Sequence, residues 1–147
     1  MKSLRFILLF VFVSTTAFSQ TQNPKKSEIS NPITSSPAYA EVLLRKVELE
    51  SSLEDLLVEF TDDSPKVKET RYELELMNKE LEKIRAMNPN DASKLTLALG
   101  KLIIRKVQLE VDLWLLLQRY TEEYEGVKRA RKKLVVFENA IKEILGK

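Results

Sequence analysis

The sequence predicts an all-α protein, an antiparallel helical bundle or coiled coil built from two copies of a helical hairpin. Three observations predict it. Apolar residues recur at three- and four-residue spacing from about residue 38 onward. Gly occurs only 3 times in 147 residues while 31% of the chain is charged, a profile of long helices and not of turn-rich β-structure. The chain also aligns with itself, without a gap, at an offset of 60 residues.

The first element is a leader. Lys2 and Arg5 precede an unbroken apolar run, Phe6 to Val13, and small residues follow at Ala17 and Ser19. This is the layout of a secretory signal peptide, with cleavage expected after Ser19. As an uncleaved anchor the run is too short, because a spanning helix takes about 20 apolar residues. No later segment is apolar for long enough to span a membrane. Residues 20–37 are polar and Pro-bearing and read as a flexible leader. Ser36-Pro37 then has the form of a helix start, Ser as N-cap and Pro at the first helical position.

The two copies come next. Ala38–Ile84 aligns with Ala98–Ile144: Arg45-Lys46-Val47 matches Arg105-Lys106-Val107, and Leu53, Leu56 and Leu57 match Leu113, Leu116 and Leu117. Thr61, Val67, Lys68, Arg71 and Leu74 recur as Thr121, Val127, Lys128, Arg131 and Leu134. Low-complexity helix imitates such matches by chance, but a gapless register that includes Thr, Arg and Val favours duplication. Between the copies, Met87-Asn88-Pro89-Asn90-Asp91 stops one helix and offers caps for another. The expected organisation is signal peptide 1–19, leader 20–37, repeat 38–87, turn 88–92 and repeat 93–146.

Within each copy two readings stand. Thr61-Asp62-Asp63-Ser64-Pro65 has the composition of a tight turn, and Thr121 to Gly126 lacks Pro, so each copy is a hairpin or one long kinked helix turning only at 87–92. The run Leu113-Trp114-Leu115-Leu116-Leu117 favours four helices, because a segment apolar all round requires neighbours on several sides.

Composition narrows the chemistry. The chain has no Cys and no His. An exported form therefore holds no disulfide, and the commonest general base and the usual soft-metal ligands are missing. No Gly-rich phosphate loop or nucleophile elbow occurs. The expectation is no catalytic residue, no cofactor and no metal. Without Lys2 and Arg5 the charge is balanced. Residues 20–90 hold 10 basic and 14 acidic groups, residues 91–147 hold 12 and 8. Halves of opposite charge suit pairing with each other, and nucleic acid is disfavoured.

Two clusters invite functional readings. Asp62/Asp63 and Glu122/Glu123 fall at equivalent positions. Paired carboxylates serve as acid and base or as calcium ligands. On an exposed turn they more simply complement a helix N-terminus. The basic run Lys128, Arg129, Arg131, Lys132 and Lys133 suits an anionic lipid or envelope polysaccharide, or a partner helix such as the one carrying Glu69 and Glu73. Trp114, Tyr120, Tyr124 and Phe137 lie at helical spacing and read as core.

The turn motif Phe60, Thr61, Asp63, Ser64, Pro65 and Val67, within residues 56–67, resembles a motif in the periplasmic coiled coils of polysaccharide chain-length determinant and co-polymerase proteins. In that family an aromatic-Thr pair, two polar residues, His-Pro and Val lie between helices. Ser64 stands in place of the His. In residues 116–127, Tyr120, Thr121 and Val127 match and Glu125 replaces the Pro. The resemblance implies a helical module of envelope assembly without enzymatic activity. The sequence thus reads as a periplasmic or secreted, non-enzymatic helical interaction or scaffold protein that binds a protein partner or itself. The alternative is a chaperone-like holdase with helical arms.

Overall fold

A computed structural model describes residues 31–146 of the chain; the expected signal peptide and most of the leader lie outside the described residues. The described residues form four α-helices, α1 Pro37–Glu59, α2 Pro65–Arg85, α3 Leu97–Leu117 and α4 Glu125–Leu145, with a 3-10 turn, Pro89–Lys94, between α2 and α3. No strand occurs among the described residues. Each copy is a hairpin, and the reading as one long kinked helix does not apply.

Local chemistry sets the helix boundaries. The Asn31 side chain accepts from the Ile33 amide at 3.0 Å, and the Ser36 hydroxyl donates to the Ile33 carbonyl at 2.6 Å. Ile33 is buried in the core, so the end of the leader, residues 31–36, packs on the fold and does not hang free of it. Ser36 then caps α1, accepting from the Tyr39 amide, with Pro37 first in the helix. The Ala38 amide, an unpaired donor of the first turn, donates to the Leu95 carbonyl at 3.1 Å, which ties the start of α1 to the entry of α3. Asn88 caps the 3-10 turn and Thr96 caps α3, each by its side chain. At the far end Gly146 adopts φ 70°, the left-handed conformation that closes a helix, and Lys94 donates to the Leu145 carbonyl.

Contacts give the directions. Arg85 donates to the Tyr39 hydroxyl at 2.6 Å, so α1 and α2 run antiparallel. Glu80 meets Lys106 at 2.7 Å, and the rings of Tyr72 and Trp114 stack with centroids 4.8 Å apart, so α2 and α3 are also antiparallel. α1 and α3 therefore run parallel, meeting at their starts. α3 touches all three other helices, while α4 packs on α3 and lightly on the 3-10 turn. The apolar run at 113–117 lies on this central helix, as its composition requires.

The main core joins α1, α2 and α3 through Val42, Met77, Leu81, Leu99, Ile103 and Val107. A smaller cluster, Leu113, Val127 and Ala130, joins α3 to α4 at the opposite end of α3. Met77, Leu81 and Ile84 of α2 are fully buried. Their counterparts sixty residues on, Phe137, Ile141 and Ile144 of α4, are only partly covered, because α4 has one helical neighbour where α2 has two.

α1 approaches α3 closely at Gly100. A Cβ built there meets the Ala38 Cα at 3.0 Å, the Ala38 carbonyl oxygen at 3.1 Å and the Glu41 Cβ at 2.9 Å. Two of these atoms are backbone and cannot swing aside. Ala is favoured over Gly in a helix by about 1 kcal/mol, whereas overpacking costs about 1–3 kcal/mol. Gly100→Ala is expected to destabilise the protein by about 1 kcal/mol, and Gly100→Val by more. Urea unfolding monitored by circular dichroism checks this; a Gly100→Ala variant more stable than the parent would contradict the close packing of α1 on α3.

Candidate functional site

The turn-motif residues occupy the two hairpin tips, and the tips share their turn hydrogen bonds, although α3 ends at Leu117, two positions short of the place matching Glu59 at the end of α1. The Phe60 amide donates to the Leu56 carbonyl at 2.8 Å, and the Tyr120 amide to the Leu116 carbonyl at 2.9 Å. The Thr61 carbonyl accepts from the Ser64 amide at 3.0 Å, and the Thr121 carbonyl from the Tyr124 amide at 3.1 Å. Val67 and Val127 are both fully buried, each the anchor of the helix that follows. Pro65 opens α2 and Glu125 opens α4, so the turn forms with or without Pro. Ser64 makes no side-chain capping bond.

The acidic pairs at these tips are engaged by the following helix. Asp62 pairs with Arg71 and Asp63 with Lys68; Glu122 pairs with Arg131 and Glu123 with Lys128. Each carboxylate thus faces its own cation across the turn, and neighbouring carboxylates do not converge on a common point. All these groups are largely exposed, and such pairs contribute little stability, about 0–1 kcal/mol each. They link each turn to the helix that follows it.

The aromatic stripe divides. Trp114 packs against Tyr72, and Phe137 is half-buried. Tyr120 and Tyr124 stack on each other, centroids 4.1 Å apart, and stay exposed at the tip. They are not core, contrary to the spacing, because the turn between α3 and α4 interrupts the helical phase that put them in register.

The basic run also divides. Lys128 and Arg131 are held by tip carboxylates, Arg129 reaches only the Glu125 carbonyl, and Lys132 and Lys133 stand exposed on α4. The run does not meet Glu69 or Glu73. Glu73 is taken by Arg45 of α1 at 2.7 Å, inside its own hairpin, and α2 and α4 are splayed apart. Among the described residues the hairpins are joined by one ion pair, Glu80 to Lys106.

Sequence reasoning missed that pair, which is the most buried charge cluster in the bundle. Lys106 contacts Glu80 at 2.7 Å and Glu110 at 3.4 Å, and Lys83 also reaches Glu80. Burial acts to raise the Glu80 pKa, but hydrogen bonds from Lys106 and Lys83 outweigh it and hold the carboxyl below its usual range. Burial acts to lower the Lys106 pKa, but the bond to Glu80 and the charges of Glu80 and Glu110 leave it raised. At Glu110 burial dominates, and its carboxyl titrates above the usual range despite Lys106. The cluster borders a groove of about 630 Å³ between α2 and α4, floored by Leu95, Leu99 and Ile103 of the central segment, with Ile84 and Ile141 on its walls.

No group of three or more acidic side chains suited to a metal ion occurs among the described residues. No helix of the described residues is long and apolar enough to cross a membrane. Comparison with protein-family models, with curated proteins and with solved structures finds no match.

A depressed carboxyl pKa at Glu80 adds stability that is present above its unfolded-state pKa and is lost as the pH falls through the lower folded value. The raised Lys106 pKa adds stability that is lost only as the pH rises through its folded value, and the raised Glu110 pKa acts the opposite way to Glu80, favouring the folded state on acidification. Glu80→Gln is expected to cost about 1–3 kcal/mol at pH 7. The deficit shrinks as the pH is lowered through the carboxylate range, where the parent side chain also becomes neutral. Urea unfolding of both proteins across that range measures it; a deficit independent of pH would contradict the assignment.

Proposed function

We propose that this chain is an exported, non-enzymatic helical scaffold of the cell envelope that acts by binding proteins through its helix faces. The observation that carries this reading is apolar side chains left in water at regular helical positions. Val58 is 86% exposed, Val136 64%, Leu44 56% and Val47 51%. Such surface favours docking of another helix and is costly to leave open. The charged clusters favour the non-enzymatic part of the reading: the tip carboxylates and the buried Glu80–Lys106 pair are bound to cations of the fold, and no nucleophile lies beside a base among them.

Export rests on the basic start, apolar run and small residues of positions 1–19. The resemblance of the sequence motif in residues 56–67 and 116–127 to one in chain-length determinant coiled coils agrees with a place in envelope assembly. The groove between α2 and α4 supports a second reading, a holdase that shelters apolar segments of unfolded clients.

Cross-linking in the native envelope followed by mass spectrometry tests the scaffold reading. Cross-links from α1 and α4 to a defined protein are expected, and Val58→Glu or Val136→Glu should reduce them severalfold. A chain that yields no cross-link in its native envelope contradicts it. Suppression of aggregation of an unfolded outer-membrane protein at equimolar ratio would favour the holdase instead.

A further inference from the structure

One stripe of α1, Ala40, Leu44, Val47, Ser51 and Glu54, is exposed along its whole length. Sixty residues on, the same spacing gives Gly100, Ile104, Val107, Val111 and Trp114 on α3. On α3 this stripe is the floor on which the first hairpin rests. Gly100 lies against Ala38, Val107 and Val111 are closed over, and Trp114 stacks on Tyr72. α1 therefore presents uncovered the face that α3 presents covered.

The converse holds for the second hairpin. Ala38, Glu41, Tyr72 and Leu76 are among the residues that cover the α3 face or pack beside it. Their counterparts are Ala98, Lys101, Lys132 and Val136, and all four are exposed. One molecule thus carries two open faces, and its internal interface shows how such faces fit.

Charge agrees with the fit. In the internal interface Tyr72 stacks on Trp114. At the equivalent places of the open faces stand Lys132 and Glu54, which are of opposite sign. Arg129 and Lys133 are exposed near the first, and Glu50 near the second.

We propose that a second copy of this chain stacks on the first head to tail. The α1 stripe of one molecule takes, on the α3–α4 hairpin of the next, the place that α3 takes on α1–α2 within the chain. The proposal rests on the interaction reading above and names the partner. The contact joins two different faces, so it propagates into a row of molecules, as successive units do in repeat proteins, unless rotation closes it into a ring.

Light scattering of the protein expressed from its full sequence, over concentrations up to about 1 mM, tests the proposal. The average mass should rise with concentration, and Leu44→Glu/Val47→Glu should hold it at the monomer. These positions are exposed, so the thermal melt of the monomer should not change; Glu54→Lys and Lys132→Glu give a second, milder test. Each alone should weaken assembly about two- to fivefold. An equimolar mixture of the two single variants should restore it, because the α1 face changed by Glu54→Lys then meets the α4 face changed by Lys132→Glu, with the two charges exchanged, and the parental pair forms at alternate contacts. A monomer at every concentration overturns the proposal, as does a Lys132→Glu variant that assembles like the parent, the result expected of a symmetric α1–α1 dimer. A monomer that still cross-links to an envelope protein removes the stacking and leaves the scaffold reading intact.

Discussion

Among the described residues α3 packs against each of the other three helices, and the fold depends on its being apolar on several sides. A helix with a single buried stripe suffices at the edge of a bundle. A central helix keeps only a narrow side for solvent. α3 meets this demand with Leu99, Gly100, Ile103, Val107, Val111 and Leu113. Lys106 is the buried exception, and it is tolerated there because Glu80 and Glu110 neutralise it. Gly100 supplies the other requirement, a place where α1 comes close enough for backbone to touch helix.

This centrality explains the asymmetry between the hairpins. By sequence the two are alike; by position they are not. α2 is pressed between α1 and α3 and buries Met77, Leu81 and Ile84. α4 packs mainly on α3 and lightly on the 3-10 turn, and the matching residues Phe137, Ile141 and Ile144 stay partly wet. The same side-chain pattern thus gives core in one place and surface in the other. The open faces follow from two hairpins in a row having two ends, each lacking the neighbour that an inner hairpin would have.

Much of this was legible in the sequence. The Ser36-Pro37 start, the stop at Met87–Pro89 and the sixty-residue offset are local signals, and the elements fall where those signals put them, although Pro89–Lys94 forms a 3-10 turn and delays α3 to Leu97. The choice of hairpin over kinked helix was legible at Leu113–Leu117, a run that needs several neighbours. The tip ion pairs were half legible. Arg71 and Arg131 are evident as repeated residues, but their reach back to Asp62 and Glu122 depends on how tightly the turn closes. The burial of Lys106 was not legible, because its counterpart Lys46 has similar neighbours in sequence yet is only half-buried and pairs with Glu50 of its own helix. The exposure of Tyr120 and Tyr124 escaped for a similar reason, since helical spacing says nothing about a break between the two residues. What decides both cases is which helix is central, and pairwise spacing does not encode that.

The parallel packing of α1 on α3 is the claim on which the bundle and its open faces stand. It is tested most directly by the distance between spin labels at Ala40 and Lys101, two exposed positions near the helix starts, in protein diluted with unlabelled chain. The structure predicts a short separation of about 20 Å, two adjacent helix axes plus the label arms. Two long helices turning only at Pro89 would place the labels about 60 Å apart, some forty residues of helix at about 1.5 Å each. A distribution centred near the longer distance would contradict the account.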